Sequence, residues 1–93
     1  MVKHIVMYDL CPGVDKEETV KFIASLLEPL VGRIPGLLHL EVRRSFEGMD
    51  YALYSEFESI QALKDYAVHP LHVAAKDQFS HYIASRVCAD YEF

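Results

Sequence analysis

No lysine- or arginine-rich run exists in the 93 residues; the densest basic point is the pair Arg43-Arg44, and the formal net charge is −5. A polyanion is held by clustered cations that displace its counterions, so the electrostatic footprint of a nucleic-acid partner is missing. An anionic membrane surface is a poor partner on the same ground. Long apolar runs are absent as well, and nothing approaches the length of a membrane-spanning helix. The opening "MVKHIVMYDL" places apolar residues after a lysine, but the run is too short for a secretion signal and Asp9 interrupts it. The expected location is therefore cytoplasmic. Only two cysteines occur, Cys11 and Cys88, and they form no motif with each other. Two free intracellular thiols are expected rather than a disulfide. Glycine-rich phosphate loops, nucleophile elbows, CxxC and HExxH are all lacking, so nucleotide hydrolysis, serine hydrolase chemistry and zinc proteolysis have no support.

Apolar material, by contrast, is plentiful. Hydrophobic residues make up 52% of the chain and aromatics 12%. The length implies one domain, residues 1–93. A domain this small hides a modest share of its surface, so the excess predicts burial against a second copy of the chain, a homodimer.

The first run, "VKHIVMYDL", is rich in Val, Ile and Tyr and is closed by Pro12-Gly13, which predicts a strand. Its faces are Val2, His4, Val6, Tyr8 and Lys3, Ile5, Met7, Asp9; both carry large apolar groups, so burial of both is expected. Asp15 followed by Glu18 marks a helix start, and Val20, Ile23, Ala24, Leu27, Leu30 and Val31 repeat at helical spacing. Pro29 weakens that helix near its end. "LLHLEVRRSF" is expected as a second strand, with Leu38, Leu40, Val42, Arg44 and Phe46 on one face. "EGMD" is a turn and "YALYSEF" a third strand, so the two form a hairpin. Ser59 can cap a short helix, "IQALKDY". Pro70 suits the first position of the next, "PLHVAAKDQFSHYI", because the N–H it lacks would be unpaired there anyway. "SRVCADYEF" is the last strand. The order β-α-β-β-α-α-β is an α+β, ferredoxin-like βαββαβ pattern with a four-stranded antiparallel sheet and helices on one face. A second sheet is the simplest cover for the other face.

Candidate chemistry concentrates in "YAVHPLHV", Tyr66 to Val73. At about 100° per residue, Leu71, Ala75, Gln78, Phe79 and Tyr82 share one arc of the last helix. His72 falls between Leu71 and Phe79, turned toward the core or a cavity beside it. His69 projects toward Lys76 and Ser80 and is expected as a boundary residue. The two histidines point apart with no suitable third ligand nearby, so no metal is expected. His72 lies in the first helical turn, where the macrodipole and burial both disfavour a positive charge. A neutral imidazole there is suited to act as a general base; the alternative is a core histidine satisfied by a hydroxyl or carbonyl. Tyr66 can orient that imidazole or bind a substrate oxygen, or simply pack beneath the helix break. His4 shares a strand face with Val6 and Tyr8 and can share a cavity with His72 if that face is the helix-covered one. Tyr51, Tyr54 and Arg44 can line a pocket, though their spacing is unspecific.

The opening "VKHIVMYDL", the "RIPG" loop, "SEFESIQALKDYAVHPLHV" and the closing "SRVCADYE" resemble the stress-responsive dimeric A/B barrel family. The resemblance frames nearly the whole chain and is most specific from Ser55 to Val73. It implies a dimeric αβ-barrel, in which two sheets face each other across a homodimer. Most such proteins have no assigned activity, but one plant member is a polyketide cyclase that closes a ring by an aldol-type step without metal or cofactor. By that resemblance His72 matches the base, Tyr66 its partner and His4 the early-strand histidine. Tyr51 stands where that cyclase has a pocket histidine, a departure that bears on the substrate. The expected catalytic residues are thus His72 and Tyr66, and the expected ligand-binding residues His4, Tyr8 and Tyr51. The expected function is binding of a small apolar or aromatic carbonyl compound, with cofactor-free acid/base chemistry. The alternatives are a non-catalytic binding or stress-protective dimer and a cofactor-free monooxygenase-like enzyme.

Overall fold

The first strand lies between two others. In the computed structural model, which describes residues 1–93, β1 (Val2–Leu10) pairs antiparallel with β3 (Tyr51–Phe57) on one side and β4 (Ile83–Glu92) on the other. The edge strand β2 (Leu37–Arg44) completes a four-stranded antiparallel sheet of order β2-β3-β1-β4. Helix α1 (Lys16–Leu27) links β1 to β2; α2 (Ile60–Val68) and α3 (Pro70–Phe79) together link β3 to β4. This is the expected α+β, ferredoxin-like βαββαβ architecture, with α2 and α3 as one broken crossover.

The helix starts follow local chemistry. The Asp15 carboxylate accepts the Glu18 N–H at 3.1 Å and caps α1. The Ser59 hydroxyl oxygen accepts the Ala62 N–H at 3.1 Å and caps α2. Each removes one of the unpaired donors of a first helical turn, a contribution of about 1 kcal/mol. Pro29 places α1's end at Leu27, with a single tighter turn over Glu28–Leu30. The last helix is shorter than its apolar spacing predicts: α3 stops at Phe79, and another tight turn, Ser80–Tyr82, leads into β4. Ala75 and Phe79 of the expected arc are buried, whereas Gln78 is exposed and Tyr82 has left the helix.

The core lies between the helices and one sheet face. Val2, Val6, Tyr8 and Leu10 of β1 and Tyr51, Leu53, Ser55 and Phe57 of β3 point into it. Val20, Ile23 and Leu27 of α1 close over them, and each fully buried aliphatic stabilises the fold by about 1.5–3 kcal/mol. Two expectations fail. In β2, an irregularity between Leu37 and His39 shifts the register, so Leu37, Leu40 and Val42 are buried while Leu38 is exposed. One extra residue on a strand exchanges the faces of everything before it. Phe46 lies beyond the strand and is fully exposed. In β1, the second face is not buried within the chain: Met7 is 43% exposed. Met7, Val87 and Tyr91 leave an open apolar sheet face opposite the helices.

Candidate functional site

Helix α2 breaks into α3 at His69-Pro70. Pro70 is the first residue of α3, and His69 is its cap: its Nδ1 accepts the Leu71 N–H at 3.1 Å. That bond uses His69 structurally and turns it away from the interior. Three residues on, His72 faces the sheet, and a cavity of about 400 Å3 opens beside it.

The wall of this cavity brings together His72 and Tyr66 from the helices with His4 and Tyr8 from β1. Leu27, Leu53, Leu63, Phe79 and Ile83 supply most of its apolar surface, and Lys76 and Arg86 add two cations. No carboxylate lines it. Its volume suits a small ligand, and its apolar wall with a few converging polar groups is the common composition of a small-molecule site.

The His72 ring is fixed from two directions. Its Nδ1 lies 3.2 Å from the Ala67 carbonyl oxygen, an acceptor only, so Nδ1 carries the hydrogen and donates it. The neutral ring then has its lone pair on Nε2. The Tyr66 ring lies against the imidazole with centroids 4.2 Å apart and planes inclined by 32°. Burial lowers the His72 pKa, opposed by the Ala67 hydrogen bond and aided by the Lys76 charge. The imidazole is therefore neutral at neutral pH, the state in which it accepts a proton.

Tyr66 is buried, packs its other neighbour Phe57 at 5.1 Å between centroids, and has its pKa raised by burial, so it stays a donor. Tyr8 is also raised by burial; Arg86, its cross-strand partner, holds part of that shift down. His4 Nδ1–H donates to the Asp90 carboxylate, directly opposite it on β4.

Tyr51 is not on the wall. It is fully buried behind Tyr8, ring stacked on ring with centroids 4.6 Å apart, and its hydroxyl is the one buried side-chain polar atom without a hydrogen-bond partner. Tyr8 lies between it and the cavity. Tyr54 points to the opposite sheet face, and its hydroxyl bonds the Glu56 carboxylate. Arg44 donates to the Asp50 carbonyl at 2.7 Å, away from the site.

Sequence reasoning missed Arg86, Lys76 and Asp90. Alternation along β4 puts Arg86, Cys88 and Asp90 on one face, but only the pairing Tyr8↔Arg86 and His4↔Asp90 shows that this face is the one with the cavity.

The family model of the stress responsive A/B barrel domain matches residues 2–93. An uncharacterized protein of Streptomyces coelicolor is 31% identical over 99 residues, covering the whole of both chains. The crystal structure of a dimeric protein of unknown function with a ferredoxin-like fold, from Bacteroides fragilis, superposes with a TM-score of 0.89 at 37% identity, covering 99% of this chain and 95% of that one. A hydroxynitrile lyase from Passiflora edulis shares the fold, with a TM-score of 0.81 at 16% identity over 97% and 90% of the two chains.

Proposed function

Because the chain belongs to the stress responsive A/B barrel domain family, we propose that it binds a small apolar or aromatic carbonyl compound between sheet and helices and that His72 acts on it as a general base. The observation that carries this reading is the His72 ring, held by the Ala67 carbonyl on one nitrogen and by the Tyr66 face, with its second nitrogen left as a lone-pair acceptor beside the cavity. His72 Nε2 takes a proton from the carbon next to the carbonyl, and the C–H electron pair moves into an enolate. Tyr66 and Arg86 stand on the same wall as donors for the enolate oxygen. Charge that develops in an apolar, water-poor site is stabilised most by donors already in place. The enolate carbon then either recovers the proton from His72 or attacks a second carbonyl, whose π electrons pass to its oxygen and take the proton back from the His72 imidazolium. No cofactor is needed for a proton transfer of this kind.

The fold hosts a lyase in Passiflora edulis, which supports no more than the capacity of the scaffold for such chemistry. The open face with Met7, Val87 and Tyr91 favours a homodimer in which two sheets meet, as does the dimeric Bacteroides relative.

Exchange of α-hydrogens for deuterium, followed by proton NMR on a panel of apolar and aromatic ketones, tests the chemistry. The wild-type chain should exchange at least one ketone about 100-fold faster than His72→Gln, the scale of a lost general base. Equal rates for the two proteins across the panel overturn the base assignment. Ketone binding without exchange would instead establish the non-catalytic binding module.

A further inference from the structure

On the helix-facing side of the β1–β4 pair, at the edge of the cavity that holds His72, three different metal-binding side chains converge. His4 and Asp90 are direct cross-strand partners, and Cys88 precedes Asp90 by two residues, so all three point to the same face. Their donor atoms lie within 4.8 Å of one another. Cys88 Sγ is 3.7 Å from His4 Nδ1 and 3.5 Å from Asp90 Oδ1. Around a tetrahedral zinc, with a sulfur at about 2.3 Å and a nitrogen or oxygen at about 2.0–2.1 Å, such ligand pairs stand about 3.5 Å apart. Both sulfur distances already fit. The third pair, His4 Nδ1 and Asp90 Oδ1, is in direct hydrogen-bond contact and has to open for an ion to enter. The Asp90 side chain is 42% exposed and on an edge strand, so it can swing outward.

We propose that His4, Cys88 and Asp90 form a site for a divalent transition metal of the zinc class. Imidazole and thiolate favour zinc and cobalt over magnesium and calcium, which prefer all-oxygen shells. Three protein ligands leave one coordination position free, as in zinc sites that take water or a ligand. All three residues line a second cavity of about 570 Å3, which shares His4 and Arg86 with the first and is also lined by Lys64. On binding, the Cys88 thiol proton leaves to solvent and the His4 proton passes from Nδ1, where it is donated to Asp90, to Nε2 by exchange with solvent, which frees the Nδ1 lone pair. The thiolate and carboxylate then balance the two charges of the ion. The two sites share only His4; neither His72 nor Tyr66 is a ligand, and Cys88 and Asp90 do not line the His72 cavity, so the metal site is tested independently of the base assignment.

Cobalt titration of the full-length, reduced protein is the test. One Co2+ per chain should bind with intense tetrahedral d–d bands and a near-ultraviolet thiolate-to-cobalt charge-transfer band, and Zn2+ should displace it. Cys88→Ser should abolish the charge-transfer band and Cys11→Ser should retain it. Asp90→Asn should weaken Co2+ binding by at least about tenfold, since even the loss of an outer-shell partner costs 10–100-fold. A wild-type protein without the charge-transfer band, or a band that survives Cys88→Ser, overturns the site.

Discussion

The ring of Tyr66 lies against the ring of His72, with centroids 4.2 Å apart, although Pro70 breaks the helix between them. Were α2 to continue without a break, residues six apart would lie on different faces and the two rings would diverge. The break re-aims the chain, so a buried tyrosine at the end of one helix becomes the wall behind a histidine at the start of the next. That contact helps to desolvate the imidazole, whose pKa burial lowers.

The first consequence concerns pH. The His72 pKa is lowered in the folded state by burial, against an ordinary value of about 6.5 in the unfolded chain. Between those two values the unfolded state binds more protons, so stability rises with pH across that window. The contribution is present in full above about pH 6.5 and is lost as pH falls through the folded pKa. Titration of the His72 ring by NMR should give a midpoint below 6.5, and Tyr66→Ala should move it upward by letting water reach the ring. A wild-type midpoint at or above the ordinary value would refute the desolvated base.

Tyr51 offers a stabilising substitution. Its buried hydroxyl has no partner, and an orphaned buried polar group costs about 1–3 kcal/mol. Tyr51→Phe keeps the stack on Tyr8 and removes that hydroxyl, so urea unfolding should show equal or greater stability, by about 1 kcal/mol. Ketone affinity should not change. A marked loss of affinity would restore Tyr51 as a ligand contact.

Gly36 tests the "RIPG" loop against α2. Its φ is +83°, and a Cβ placed there would stand 2.6 Å from the Ala62 Cβ. Gly36→Ala should destabilise by about 2–4 kcal/mol, combining the left-handed backbone penalty with overpacking. Adding Ala62→Gly should recover the overpacking part and leave the backbone part. Full recovery in the double variant would show that the backbone penalty is negligible here.

The open sheet face predicts the assembly. Met7 lies at the middle of that face, paired with Ala52 on one side and Val87 on the other. Met7→Asp places a charge where two apolar faces would meet, and size-exclusion chromatography with light scattering should show a shift from dimer to monomer. A wild-type monomer at micromolar concentration, or a Met7→Asp dimer of unchanged affinity, would count against this face as the interface.

Much of the fold was legible along the chain, because local signals and burial pattern agreed. Asp15, Ser59 and Pro70 mark helix starts through backbone donors that any first turn must satisfy, and the structure places all three where the sequence does. The inward turn of His72 followed from helical geometry alone. The β2 register did not, because an irregular residue near Leu38 leaves no compositional trace while it exchanges the strand's faces. The end of the last helix at Phe79 was likewise hidden, since Tyr82 and Ile83 serve a strand entry as well as a helix.

The sequence by itself determined the order of elements, the excess of apolar residues and the orientation of His72. Only the tertiary structure decided what His72 meets. Cross-strand register sets Arg86 opposite Tyr8 and Asp90 opposite His4, and it seats Tyr51 behind Tyr8 rather than on the cavity wall. Periodicity reports which face of its own element a side chain occupies. Which residues of distant elements share that face depends on strand pairing, and a shift of one residue would have assembled a different site from the same sequence.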